Sequence, residues 1–137
     1  MTSYLVDTDW IIDCLHGQRP AIDTIMELAP RGLLVSIISY GELYEGAYYA
    51  RNPQEKLEGL RNFLEGKEIL PLTLPIVERF GIVRGSLASS IRQQIGDMDL
   101  LIAATALEHK LTVLTRNVRD FAQIPGLKFH QPDQPTD

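Results

Sequence analysis

A chain of 137 residues, 45% of them hydrophobic, has enough apolar material for one compact domain and too little for two. The formal net charge of −5 argues against a broad basic platform for nucleic acid, but not against a site centred on metal ions, whose own charge reverses the local sign. One cysteine, Cys14, excludes an internal disulfide framework. No apolar run approaches the roughly 20 residues needed to cross a bilayer, so the expectation is a soluble, cytoplasmic domain.

Tyr4–Val6 is a short buried strand in prospect, and Trp10–Leu15 the first helix, closed by His16-Gly17. Asp7 and Asp9 interrupt this N-terminal apolar stretch, which therefore does not read as a secretory leader. Arg19-Pro20 opens a second helix to about Ala29, and Pro30-Arg31-Gly32 makes a turn. Leu33–Ser36 reads as an interior strand, because parallel strands covered on both faces are continuous apolar runs. Helices follow over 39–50 and 55–64, separated by Asn52-Pro53, then a strand over 67–70. One long helix is predicted over 76–91, punctuated by Gly81 and Gly85. After Gly96 come a helix over 98–110, a strand over 112–114, a helical turn near 118–122 and an edge strand at Lys128-Phe129. The alternation predicts one α/β domain over residues 1–130 with a mostly parallel sheet of four or five strands and helices on both faces. Residues 131–137, polar and proline-rich, read as a flexible tail.

Four acids stand where apolar runs meet turns or open helices: Asp7, Glu42, Asp99 and Asp120. In an open α/β sheet, ligands gather outside the carboxyl ends of the strands. Acids meeting there repel one another unless a cation or shared protons relieve them. Each also has a plainer reading. Within Asp7-Thr8-Asp9 one residue is expected to cap the first helix, which accounts for Thr8 or Asp9 better than for Asp7. Ser39-Tyr40-Gly41-Glu42 fits a capping box. Asp97 and Asp99, two apart, cannot share a helical face, and local physics does not choose between them. Thr115-Arg116-Asn117 is a polar turn at a strand end, and Asp120 can either cap a short helix or join the cluster.

The segments YLVDTDWIID, ISYGELYEGA, IGDMDLLIAATA and LTVLTRNVRDFAQIPGL, in that order and spanning nearly the whole chain, resemble the PIN-domain ribonucleases, particularly VapC-like toxins of bacterial toxin–antitoxin modules. The resemblance implies a three-layer α/β/α fold. It also implies metal-binding roles for Asp7, Glu42 and Asp99, which leaves Asp97 as the helix cap. The fourth acidic position falls to Asp120 or Asn117, and Thr115 matches a polar residue beside the metal-bound water. The family's usual Asn two residues after the first Asp is Asp9 here.

One or two Mg²⁺ or Mn²⁺ ions would suit such oxygen ligands. The reaction implied is hydrolysis of RNA phosphodiester bonds by metal-activated water. Arg116, Arg84 and Arg92 are candidate phosphate contacts, since guanidinium presents a bidentate fork, although each also fits as solvated surface charge. The implied partners are RNA, a cognate antitoxin and a second copy of the chain. Leu43-Tyr44, Tyr48-Tyr49, Leu57 and Leu60 fit either an apolar groove for the antitoxin or plain packing of helix on helix.

Competing readings are a PIN fold that binds without cleaving, a haloacid-dehalogenase-type phosphatase and a phospho-receiver domain. Asp7-Thr8-Asp9 and Gly96-Asp97 echo the phosphatase, but Ile11 departs from its motif. The receiver needs an acceptor acid at a central strand end and a late lysine, whereas Lys110 precedes the last major strand. His16, His109 and His130 lack zinc-ligand spacing, and Cys14 fits the core.

Overall fold

A computed structural model describes residues 2–130. Five parallel strands lie in the order β3-β2-β1-β4-β5: β1 (Tyr4–Val6), β2 (Leu33–Ser36), β3 (Glu68–Leu70), β4 (Thr112–Leu114) and β5 (Lys128–Phe129). The central β1 pairs Tyr4 with Leu33 on one side and with Thr112 on the other. Because side chains alternate along a strand, Tyr4 and Val6 enter one apolar cluster and Leu5 enters the other. The first cluster packs under α1 (Thr8–Leu15), α2 (Arg19–Leu28), α3 (Ile37–Tyr48) and α4 (Pro53–Leu64). The second packs under α5 (Leu74–Ser86), α6 (Ser89–Gln94), α7 (Asp97–His109) and the short α8 (Val118–Phe121). This is the expected three-layer α/β/α arrangement. The tail over 131–137 lies outside the described residues.

Sequence details explain the boundaries. Gly32 turns into β2 at φ 103°, where a Cβ would stand 3.1 Å from Ser3 Oγ. In α7, Ala103, Ala104 and Ala106 are buried, and their small side chains let the helix sit close to the sheet. The helix ends at Lys110, a non-glycine residue in the left-handed region at φ 56°.

Three expectations need correction. The long helix over 76–91 is two helices, because Leu87 adopts an extended backbone (ψ 144°) and buries its side chain in the core with Ile95. Continuing the helix would carry Leu87 round with the rest of α5, most of whose later positions face solvent. Ser39 caps nothing: α3 starts earlier, Ser36 Oγ accepts the Ile38 N–H at 3.0 Å, and Glu42 lies beyond the first turn. Nor is Asp97 a cap. Gly96 occupies that position, and Asp97 accepts a 3.0 Å hydrogen bond from Arg84.

Candidate functional site

The site forms where the strands end. Asp7 leaves β1, and its backbone N–H donates to Leu114 O at 2.9 Å, extending the β1–β4 ladder by one rung. That rung carries the carboxylate to the carboxyl end of the sheet. Asp7 is itself the N-cap of α1, its Oδ1 accepting the Thr8 N–H at 2.8 Å. Its Oδ2 accepts the Thr115 hydroxyl at 2.7 Å, so both oxygens are held. The cap thus falls to Asp7 and not to Thr8 or Asp9, which the sequence favoured for it.

Glu42 arrives from the second turn of α3. The Thr8 hydroxyl lies 2.6 Å from Glu42 Oε1 and 2.9 Å from Ser39 Oγ. A hydroxyl has one proton to give, so Thr8 donates to the carboxylate and accepts from the buried Ser39. Asp99, near the start of α7, accepts from Asn117 Nδ2 at 3.3 Å. Asp120, on α8, accepts from Gln94 Nε2 at 2.7 Å. Asp9 takes the Arg116 backbone N–H at 3.2 Å and ties α1 to the loop after β4.

The electrostatics record the crowding. Burial pushes the Asp7 carboxyl up to about 7; the charges of Asp9 and Asp99 add to the rise, and the Thr115 and Thr8 hydrogen bonds oppose it. Burial also raises Asp99, with further contributions from Glu42, Asp120 and Asp9. Asp9 is raised by burial too, against the Arg116 backbone hydrogen bond. Acids from four separate segments therefore sense one another at one place.

Among the described residues, no three His, Cys, Asp or Glu side chains are close enough to enclose an ion as they stand. Asp7, Glu42, Asp99 and Asp120 are instead each held by neutral donors. The donor chemistry nonetheless suits a hard divalent cation, because the carboxylates offer only oxygens and their mutual repulsion is what such a charge relieves. Enclosing one requires the side chains to draw inward.

The three arginines separate. Arg116 stands at the rim with its side chain 2.9 Å from Asp13. Arg84 is engaged by Asp97 on the exposed side of α5, and Arg92 lies in the last turn of α6. Asp13, Ser39 and Gln94 have site contacts that the sequence does not announce. Ser39 is masked by the apparent capping box, and the contacts of Asp13 and Gln94 cross between distant segments.

A mainly apolar groove of about 500 Å³ is lined by Ile12, Leu15, Leu43, Ala47 and Leu60, with Glu42 the one member of the acidic group in its lining. Leu43 and Leu60 fall where the sequence placed them, whereas Tyr44, Tyr48, Tyr49 and Leu57 are not in its lining. For the tyrosines of α3 the reason is helical phase: residues 42, 43, 46 and 47 share one side of the helix, and 44 and 48 project from another.

Residues 4–127 match the PIN domain family. The chain belongs to that family. It is 31% identical over 132 residues to "Ribonuclease VapC1" of Haemophilus influenzae, covering 92% of this chain and 95% of the relative. Among solved structures it is similar to the DNA-bound VapBC of Salmonella typhimurium, with a TM-score of 0.85, 26% identity and coverage of 95% and 98% of the two chains. A toxin–antitoxin complex from Klebsiella pneumoniae gives a TM-score of 0.75 at 29% identity, covering 96% and 99%. In this PIN domain, no helix of the described residues is long and apolar enough to cross a membrane.

Proposed function

We propose that this PIN domain is a divalent-metal-dependent endoribonuclease of the cytoplasm, acting as the toxin of a toxin–antitoxin pair. The observation that carries the reading is the gathering of Asp7, Glu42, Asp99 and Asp120 at the strand ends, in a chain similar along its length to a VapC ribonuclease. Asp7, Glu42 and Asp99 would hold one or two Mg²⁺ or Mn²⁺ ions, with Asp120 as the fourth acid. Bound there, such an ion lowers the pKa of a coordinated water and offsets charge on the scissile phosphate.

The chain's own residues supply orientation. Thr115 and the Thr8 N–H fix Asp7, the Thr8 hydroxyl fixes Glu42, and Asn117 fixes Asp99. These donors are neutral, so they set position without cancelling the charge that draws a cation. Arg116, exposed at the rim, is placed to meet an RNA phosphate once it leaves Asp13. The groove that includes Glu42 would take an apolar segment of the antitoxin, and an occupant there would stand against that carboxylate. Leu74 and Ile82 on α5 and Met98 on α7 are exposed, and these two helices would be the surface for a second copy of the chain.

The test is cleavage of total RNA by purified protein with Mg²⁺ or Mn²⁺, beside Asp99→Asn and an EDTA control. Cuts made by the wild type and lost in both controls are expected. Equal cutting by wild type and Asp99→Asn would remove this site as their source. A wild type that cuts nothing but still binds RNA would favour a binding module that does not cleave.

A further inference from the structure

Of the four gathered acids, Asp120 has the most tenuous local support. It sits on the four-residue α8, partly exposed, and none of the Asp7, Thr8, Thr115 or Asn117 hydrogen bonds reaches it. Its helix nonetheless starts at Asn117, whose Nδ2 donates to Asp99 at 3.3 Å, so Asp120 stands within one turn of that contact. What holds it is Gln94, whose Nε2 donates to Asp120 Oδ1 at 2.7 Å across 26 residues of sequence. Gln94 is the last residue of α6, and its neighbour Ile95 is buried in the core, so the backbone beneath the amide is anchored although the side chain is exposed. Asn117, the other candidate for the fourth position, donates an amide N–H to Asp99, and the oxygen it keeps is neutral where Asp120 offers a carboxylate.

We infer that Gln94 is the positioning residue for the fourth acid: it holds Asp120 beside Asp99 through Oδ1 and leaves Oδ2 free to face a cation. This inference rests on the metal-dependent nuclease reading. It completes a pattern in which each of the four acids has one neutral side-chain donor, Thr115 for Asp7, Thr8 for Glu42, Asn117 for Asp99 and Gln94 for Asp120. An amide suits the role because it donates without bringing a charge that would compete with the metal. Outer partners of this kind set ligand orientation and hence affinity.

The experiment is calorimetric titration of the full chain with Mn²⁺, in the absence of RNA, for wild type, Gln94→Leu, Asp120→Asn and the double variant, with thermal melting of each alongside. Leucine keeps the bulk and removes the donor. Gln94→Leu is expected to weaken Mn²⁺ binding by about tenfold, the low end for outer partners because this one is exposed. Its melting temperature without metal should match the wild type. Gln94 acts through Asp120, so the double variant should bind no more weakly than Asp120→Asn alone. Wild-type affinity in Gln94→Leu would overturn the assignment alone, as would a loss fully additive with that of Asp120→Asn. A wild type that takes up no Mn²⁺ would overturn the metal-dependent reading and this assignment together.

Discussion

The two flanks of the acidic site are built differently. On the β1–α1 flank, Asp7 is 4% exposed and accepts hydrogen bonds at both oxygens, while the neighbouring Thr8 and Asp9 reach α3 and the loop after β4. On the α6–α8 flank, Asp99 and Asp120 are partly exposed, and each accepts from one amide. The first flank is determined several times over by the sheet. The second depends on single contacts between short elements. A buried acid fixed from two sides is costlier to disturb than a partly exposed acid on one bond, although burial raises both Asp7 and Asp99. The site thus joins a rigid, proton-retaining side to an adjustable one.

The most severe break in this contrast is at Asp7. Asp7→Asn should lower metal-dependent RNA cleavage by roughly a thousandfold, the scale of removing a preorganised charged group, while Asp120→Asn should lose about tenfold. Single-turnover cleavage at saturating Mn²⁺ measures both, and equal losses would erase the distinction between the flanks.

The next effect is on stability. Asp7 titrates near 7 when folded against 3.8 in its ordinary state, so the folded chain binds the extra proton. Without metal, stability should therefore be greatest at low pH and fall as pH rises from about 4 to 7, by up to about 4 kcal/mol from this group. Asp9 and Asp99 are also raised and act in the same direction. Denaturant titration at pH 5 and pH 8 would show the fall, and Asp7→Asn should flatten it. A wild type more stable at pH 8 would contradict the assignment.

Thr115→Val removes the buried donor to Asp7 and should cost about 1–3 kcal/mol at neutral pH, read from the same denaturation curves. Least affected should be Arg116→Ala, which breaks an ion pair whose arginine side chain is 59% exposed. Its stability should change by less than about 1 kcal/mol, while RNA binding weakens and becomes less sensitive to salt.

The same contrast governs what is legible in the sequence. β1, β2 and β4 appear plainly because buried parallel strands are unbroken apolar runs, and Asp7 is conspicuous because it ends one. Glu42 and Asp99 stand out through the family resemblance, since a local capping box and an undecided Asp97/Asp99 pair obscure them. The break between α5 and α6 is not legible, because it follows from Leu87 reaching the core and not from any helix-stopping residue there. Ser36 displaces Ser39 as a cap for a similar reason: the strand's end sets the helix's start. Gln94 is invisible from the chain alone, since its partner lies on another element and a terminal glutamine on a short helix carries no signal.

The position of β1 in the middle of the sheet also governs when the site can exist. Asp7 and Thr115 meet across 108 residues, and the ladder that aligns them joins the first strand to the fourth. A chain emerging from the ribosome can pair β1 with β2 early, but Asp7 has no Thr115 until the segment beyond residue 112 has been made and docked. Such distant pairing is slow, since loop closure precedes the contacts that reward it. Translation therefore releases most of the domain before its acidic centre is assembled, and an unfinished chain lacks the strand that completes it.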